Sequence, residues 1–339
     1  MAENLGDEYE VRCLTTAAET VPLPPFSFDV FLYLQPEHVA LQAGPDWQMY
    51  VLLNKQTAQI DGLAHFFREN ALARSPWRAP FGGVQLRQGL PEITATAFLH
   101  HLQLHLWQQG IRQVQWLQCP DAYAPETNKW LRAVLPGYGY TLQYNQLNHH
   151  IPVTESPFTA NLHDSLRRRL RKCRKAGFLF QQEAAVTLPE AYAFIKRCRD
   201  EKQKPLSLSL DQLSRYFDLF PDRYFLFTVR TEGELAAVGV AVLVTQGILN
   251  HLYPASPKRF NTYSPSVLLN AGLYTYCQSR HISMLDLGVS APVQEREEDY
   301  SGLFTFKERL GGLPSWKPAF LNADPGTRTS PNLVFGKTL

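Results

Sequence analysis

The chain has 339 residues, of which 45% are hydrophobic and 19% charged, and its formal net charge is +2. This composition excludes a disordered protein, and the length favours two domains over one. No apolar run approaches the ~20 residues that span a bilayer, and the opening segment MAENLGDEYEVR lacks the apolar stretch of a secretory signal. Five scattered cysteines without a CxxC pair favour reduced thiols. We therefore expect a cytoplasmic protein without a membrane span.

The first half of the chain predicts alternating strands and helices after an extended N-terminal lead-in at 1–26, where prolines restrict the backbone. The predicted elements are strands at 48–54 and 63–69, a short strand within 75–84, a helix at 92–109, a strand at 114–119, a helix at 124–134 and a long strand at 138–153. A linker follows near 154–157.

The second half repeats this order, with two additional helices before its hairpin. The predicted elements are helices at 161–176, 187–202, 210–220, 264–280 and 300–311, and strands at 178–182, 224–230, 235–244, 248–253, 284–288 and 314–321. Ser264 as N-cap and Pro265 at the first helical position mark one helix start. Residues 323–339 are predicted to be a mobile tail. The two halves thus repeat in architecture but not in sequence.

Four stretches resemble motifs of the FemAB-like family, and the element order resembles the acyl-CoA N-acyltransferase (GNAT) fold twice over. The stretches are SPWRAPFGGV (75–84), RRRLRKCRKAG (167–177), YSPSVLLNAGLYTYC (263–277) with MLDLG (284–288), and GLFTFKERLGG (302–312). The resemblance implies an α/β (α+β) protein with tandem GNAT-like folds, each a mixed central sheet flanked by helices. It places a first, acceptor-side domain at 27–155 and a second, donor-side domain at 156–322.

FemAB-like proteins are acyl or aminoacyl transferases, and the BioF2- or CelD-like branch is thought to use acyl-CoA. The resemblance implies an N-acyltransferase in which an amine of a small molecule or precursor attacks an activated acyl group directly, without a metal. Acyl-CoA is favoured as the co-substrate because no heptad run between 177 and 224 predicts the coiled-coil arm of some tRNA-using members. Aminoacyl-tRNA, transferred to a peptidoglycan precursor, is the alternative. A non-catalytic binding module that retains the fold is a third interpretation.

The segment SLRRRLRKCRKAGF (165–178) concentrates charge, because seven of its fourteen residues are Arg or Lys in a chain of net charge +2. An apolar stripe from Leu162 to Cys173 predicts a helix that docks by one edge. The cationic face is either a solvated surface or a site for phosphates of the donor or acceptor, with Arg171 and Arg174 as donor-binding candidates. One patch on an otherwise acidic chain is too small to predict duplex DNA binding.

Lys307 lies within the apolar arc of its predicted helix, one turn from Leu303. Such a lysine either extends its ammonium to the rim or is held in a site where desolvation lowers its pKa. The resemblance implies a catalytic Lys307 that orients the acyl donor or stabilises charge at the reacting carbonyl, with Phe306 beside it on the donor side.

The loop at 254–266 leads into a helix N-terminus, whose free N–H groups and positive dipole end suit a pyrophosphate. It contains no glycine, unlike the usual GNAT phosphate loop, so a plain connector is the alternative. The donor-binding candidates in it are Lys258, Arg259, Tyr263, Ser264 and Ser266.

Tyr253, at the end of one predicted strand, and Asp286, within another, are the other catalytic candidates. Tyr253 is a candidate general acid or water-positioning group, and Asp286 a candidate acceptor for the amine proton. Each has a structural alternative, as a strand residue or a hydrogen-bond acceptor. The acceptor-side candidates are Trp77, Arg78, Phe81, Gly82 and Gly83, where glycines permit close backbone approach and Arg78 suits a carboxylate or phosphate, unless the segment is a structural bulge.

Two sequence features resemble a zinc site and a nucleophilic cysteine, but the surrounding residues do not support either function. His101 and His105 have the spacing of paired zinc ligands, but no third ligand is evident, so we predict no metal site. Cys173 lies among cations yet within the apolar stripe, so it is not predicted to be a nucleophile.

Overall fold

The computed structural model describes residues 2–15, 23–42, 44–291 and 297–323. The helices are α1 (Pro36–Leu41), α2 (Glu92–Gln108), α3 (Pro125–Val134), α4 (Asp164–Lys175), α5 (Leu188–Asp200), α6 (Leu210–Leu219), α7 (Pro265–Ser279) and α8 (Glu297–Arg309). The strands are β1 (Ala2–Leu5), β2 (Tyr9–Thr15), β3 (Trp47–Asn54), β4 (Gln59–Glu69), β5 (Leu72–Ser75), β6 (Val84–Leu86), β7 (Gln113–Leu117), β8 (Tyr140–Pro152), β9 (Leu179–Glu183), β10 (Tyr224–Thr231), β11 (Glu234–Thr245), β12 (Ile248–Ala255), β13 (Met284–Ala291) and β14 (Leu313–Ala323).

The chain forms two compact units, the first from residues up to 146 together with those from 316 onward, the second from 147–315. The change of unit falls inside β8, whereas the sequence placed it at 155/156. The predicted mixed α/β class is confirmed. The predicted tail lies, from residue 324 onward, outside the described residues.

The first unit has the strand order β1-β2-β3-β4-β5-β7-β14, with β6 paired to β4. All pairs are antiparallel except β5 with β7. Its core packs Phe66 and Trp116 of the sheet against Phe98 and Leu102 of α2.

Residues 2–15, which the sequence predicts as part of an extended lead-in, form the β1–β2 hairpin. Strand β2 pairs with β3 from Tyr9–Asn54 to Thr15–Gln48. In its sequence YEVRCLT, Tyr9 and Val11 are buried at alternate positions, which is the period of a half-buried strand. The prolines of the lead-in come after this hairpin in the sequence, so they do not exclude sheet structure before it.

The second unit has the strand order β9-β10-β11-β12-β13-β8, in which only β12 and β13 are parallel. Helices α4, α7 and α8 share one face of this sheet, where Phe227 and Leu310 belong to the same buried cluster. Helices α5 and α6 cover the other face, where Tyr216 stacks on Tyr224 of β10. The apolar stripe predicted for α4 is confirmed, because its four members are buried, namely Leu162, Leu166, Leu170 and Cys173.

Candidate active site

Strands β12 and β13 separate after a short parallel contact. They pair only from Ile248–Met284 to Asn250–Asp286, although both strands continue for about five more residues. Leu252 is an extra residue in β12, because Val240 lies opposite Tyr253 while the next residue of β11 lies opposite His251. A bulge of this kind bends a strand and releases backbone groups from the ladder. The result is an opening at the carboxyl ends of two neighbouring parallel strands.

Asp286 fixes the strands at the point where they separate. Its carboxylate accepts hydrogen bonds from Asn148 Nδ2 of β8 at 2.7 Å, from Asn250 Nδ2 of β12 at 2.8 Å and from the Gly288 N–H at 2.9 Å. Asp286 is 3% exposed. These contacts link three adjacent strands and favour a positioning role over acceptance of a proton from the amine.

Lys307 projects from α8 onto the next residues of β13. Its Nζ donates to the carbonyl oxygens of Gly288 at 2.8 Å and Val289 at 2.9 Å. Gly288 has a φ of +74°, which lets two successive carbonyls converge on one donor. Lys307 is 6% exposed, so its ammonium does not reach the rim. Burial lowers the pKa of Lys307 to about 7, and the charge of Asp286 opposes that shift.

The Leu-Gly-Gly sequence after Lys307 ends α8. Gly311 has a φ of +88°, the Gly311 N–H donates to the Glu308 carbonyl, and the Gly312 N–H donates to the Lys307 carbonyl. This pair of bonds is the Schellman arrangement at a helix C-terminus. A Cβ on Gly312 would lie 2.7 Å from the Lys307 oxygen. The two glycines therefore hold Lys307 in the last turn, facing β13.

Two buried histidines lie on the same face as Lys307. His149 of β8 is opposite Gly288, and its Nδ1 is 2.7 Å from Ser290 Oγ. His251 of β12 places Nδ1 3.4 Å from Asn270 Oδ1 of α7. Burial, followed by smaller contributions that include the Lys307 charge, lowers the pKa of each histidine to about 4. Both rings are therefore neutral near pH 7.

Tyr253 lies on the opposite face, towards α5. It is 2% exposed, its hydroxyl is hydrogen-bonded to Ser207, and the guanidinium of Arg199 lies 5.5 Å from its ring centroid. Burial raises the pKa of Tyr253 and lowers that of Arg199. The hydroxyl of Tyr253 is already bonded, so the general-acid assignment stays a prediction.

The N-terminus of α7 lies under two cations of α4. Arg169 Nη1 donates to Ser264 Oγ at 3.0 Å, and Lys172 Nζ lies 4.9 Å from the centroid of the Tyr263 ring. Ser264 stands at the N-cap position with a φ of +54°, and its hydroxyl bonds the Asn261 carbonyl. Ser266 follows within the first turn, where its carbonyl accepts from Asn270. These groups form a positively charged helix N-terminus beside the opening.

The remaining donor-side candidates lie elsewhere. Arg171 and Arg174 are exposed and, at 100° per residue, fall on the flank of α4 opposite Arg169. Arg259 is turned towards Glu234, while Lys258 is exposed. Phe306 packs against the core of the second unit. The structure thus brings Tyr263, Ser264 and Ser266 together, with Arg169 and Lys172 in the place predicted for Arg171 and Arg174.

The acceptor-side candidates belong to the first unit. Phe81 is 2% exposed among Phe31, Tyr33 and Tyr123, so it lies in the core, and the ligand contact predicted for it stays a prediction. The half-buried Trp77 and the exposed Arg78 both donate their backbone N–H groups to Gln42 Oε1.

Neighbouring side chains of the first unit leave no room for a Cβ at Gly82 or Gly83. A Cβ on Gly82 would lie 2.4 Å from Ser75 Oγ, and one on Gly83 would lie 2.0 Å from Gln118 Oε1. The close approach that these glycines allow is therefore to side chains of the same unit. The bulge interpretation accounts for them without a ligand.

No group of three or more metal-ligating side chains occurs among the described residues. His101 and His105 stack with ring centroids 6.1 Å apart, and His105 Nδ1 lies 2.9 Å from the hydroxyl of Tyr50. Within the same part of the chain, no helix is long and apolar enough to cross a membrane.

The opening between β12 and β13, and the helix α7 that follows β12, lie in the part of the chain that is similar to the GNAT acetyltransferase domain. The family model of the acetyltransferase (GNAT) domain matches residues 160–301. No curated protein matches the chain.

Solved structures share the fold over most of the chain. FemX is 13% identical with a TM-score of 0.66, covering 86% of this chain and 92% of its own. L-PGS from Bacillus licheniformis is 15% identical with a TM-score of 0.55, covering 87% and 88%. The C-terminal domain of a putative lysylphosphatidylglycerol synthetase from Agrobacterium fabrum is 14% identical with a TM-score of 0.51, covering 82% and 84%. The predicted resemblance to FemAB-like proteins is thereby confirmed at the level of the fold, and the GNAT family model supports it over residues 160–301.

Sequence reasoning missed several residues of this region, among them His149, His251, Arg169, Lys172 and Arg199. Each histidine stands in a strand without a motif around it. Arg169 was one of seven cations within residues 167–175, and only the packing of α4 on α7 distinguishes it.

Proposed function

We propose that the protein is an N-acyltransferase that moves an acyl group from acyl-CoA to an amine. The observation that carries this proposal is the separation of β12 and β13 beyond Asn250–Asp286, with the bulge at Leu252. Backbone groups freed there are suited to hydrogen-bond a pantetheine-like chain and to hold its thioester beside Lys307. Positioning and charge stabilisation are sufficient for direct attack by an amine, with no covalent intermediate.

The N-terminus of α7 supports a donor that carries phosphates. The positive end of the helix dipole and the cations Arg169 and Lys172 combine there. The absence of glycine from 254–266 means that side chains as well as backbone surround the phosphates. The adenosine end of coenzyme A then lies towards α4, and the acyl end lies towards Lys307.

Aminoacyl-tRNA is the second candidate donor. The observation that favours it is the remaining cationic surface of α4, where Arg168, Arg171, Arg174 and Lys175 are exposed. Helices α5 and α6 are joined by a short loop at 201–209, so no coiled-coil arm interrupts this part of the second unit. The acceptor is an amine of a small molecule or precursor. The guanidinium of Arg199, which lies over the Tyr253 ring, is suited to bind an anionic group of that acceptor.

A thermal-shift titration tests the donor. Acetyl-CoA, longer acyl-CoAs and aminoacyl-tRNA are titrated separately against the wild type and Arg169→Ala, and a ligand at one hundred times its Kd stabilises by about 2.7 kcal/mol. We expect a shift with acyl-CoA that weakens in Arg169→Ala. A shift with tRNA alone would transfer the proposal to the second donor, and no shift with any of them would contradict both.

A further inference from the structure

His149 of β8 and Ser290 of β13 form a hydrogen-bonded pair in which both side chains are 0% exposed. The bond joins His149 Nδ1 and Ser290 Oγ at 2.7 Å. The other ring nitrogen, Nε2, has no hydrogen-bond partner among the described residues. A buried polar atom without a partner destabilises a fold by about 1–3 kcal/mol, so its persistence calls for a physical reason.

The direction of this hydrogen bond follows from the donors and acceptors available. If Nδ1–H donated to Ser290, the serine hydrogen and the Nε2 lone pair would both lack partners within the described part of the chain. If the serine hydroxyl donates to Nδ1, only the Nε2–H lacks one. The second arrangement leaves fewer buried groups unmet and is therefore the more stable. His149 accordingly carries its proton on Nε2.

The structure places this ring beside Lys307. His149 is the register partner of Gly288, and the Gly288 carbonyl accepts a hydrogen bond from Lys307. Phe304, one turn before Lys307 on α8, packs edge-on against the imidazole with centroids 5.1 Å apart. In its protonated form Lys307 has three N–H groups, of which two bond the carbonyls of β13, which leaves one.

The imidazole is suited to donate a hydrogen bond and not a proton. Burial, then the charge of Lys307 and then that of His150 lower the pKa of His149 to about 4, while the charge of Asp286 acts in the opposite direction. The ring is therefore neutral when the enzyme works near pH 7. A neutral imidazole N–H is a fixed donor that is already oriented before the reaction begins.

We propose that the Nε2–H of His149 and the third N–H of Lys307 form the donor pair for the acyl carbonyl oxygen as it gains negative charge. The assignment rests on the acyltransferase function proposed above. The amine nitrogen bonds to the carbonyl carbon while the π electrons move to the oxygen. The oxygen returns them as the C–S bond breaks, and the thiolate leaves with the bonding pair and takes up the proton that the amine releases.

Kinetics of three variants test the donor role. Removing one such donor lowers kcat about 10²–10³-fold in other enzymes. We expect that loss in His149→Leu with KM changed less than about two-fold, and partial recovery in His149→Gln, which retains an N–H. Ser290→Ala removes the partner that fixes the tautomer and should lie between them. His65→Leu is the matched control. His65 is also fully buried and, among the residues that the structure describes, both of its ring nitrogens lack partners, but it lies in the first unit.

A second readout is independent of activity. Nitrogen chemical shifts of isotope-labelled histidine, assigned by comparison with His149→Gln, report which ring nitrogen carries the proton. The proton on Nε2 is expected, and a proton on Nδ1 would overturn the inference even in an active enzyme. Full activity of His149→Leu would overturn it as well while leaving the acyltransferase function in place. A wild type that transfers no acyl group would contradict the function itself, whatever the tautomer.

Discussion

Replacing Lys307 with methionine should change how stability depends on pH. The pKa of Lys307 is about 7 in the folded protein, against 10.5 for an ordinary lysine. Between these values the unfolded chain binds a proton that the folded protein has released, so the stability of the wild type rises with pH in this window. Below about pH 7 Lys307 is protonated in both the folded and the unfolded protein, and the free-energy penalty of burying the ammonium is fully present.

The size of the effect follows from linkage. Each pH unit inside the window changes the free energy of unfolding by about 1.4 kcal/mol, or about 4 kcal/mol between pH 7 and pH 10. Lys307→Met, which is similar in length and uncharged, lacks this contribution. The quantity to follow is therefore the wild-type stability minus that of Lys307→Met, in which the other titrating groups cancel.

Urea unfolding of the two proteins at pH 7, 8, 9 and 10, monitored in the second unit, measures that difference. Lys196→Met, where the side chain is 61% exposed, controls for the loss of a surface lysine. The free energy of unfolding of the wild type minus that of Lys307→Met should increase steadily as pH rises. A difference that stays constant across this range would refute the burial argument for Lys307.

Three further predictions concern single contacts. In Asp286→Asn an amide N–H faces the N–H donors that bond the carboxylate in the wild type. The substitution should lower the free energy of unfolding by about 2–4 kcal/mol in urea titrations, and an unchanged midpoint would contradict this. Gly83→Ala brings a Cβ against Gln118 at a φ of +76° and should destabilise the first unit by more than about 1 kcal/mol, whereas a neutral result in thermal melts would show that the loop yields. Arg169→Ala should raise the KM for the phosphate-bearing donor several-fold at low salt and less at high salt, while Arg171→Ala should leave it nearly unchanged; equal effects would contradict the assigned flank.

Local periodicity was sufficient to predict much of the second unit. The stripe from Leu162 to Cys173 fixed which edge of α4 is buried, and the Ser264–Pro265 pair marked the start of α7. Lys307 was identifiable because a cation interrupted an apolar arc. Each of these signals lies within one helix, so it depends on spacing and not on tertiary contacts.

The rest of the site depends on contacts between residues distant in sequence. Asn148 and Asp286 are 138 residues apart, and nothing near either predicts that they bond. A helical wheel shows that Arg169 and Arg171 lie on different flanks, but not which flank meets α7. The glycines of 82–83 correctly indicated a close approach, yet glycine cannot indicate whether a ligand or the chain itself approaches.

The most direct test of the central claim is a transfer measurement by mass spectrometry. The protein is incubated with acetyl-CoA and a panel of amines, and in parallel with aminoacyl-tRNA, and acylated amine is quantified together with free coenzyme A thiol. The account predicts an acylated amine and thiol in equal amounts with the wild type, and a rate lower by about 10²-fold or more with Lys307→Met. No product with either donor, or equal rates in the two proteins, would contradict it.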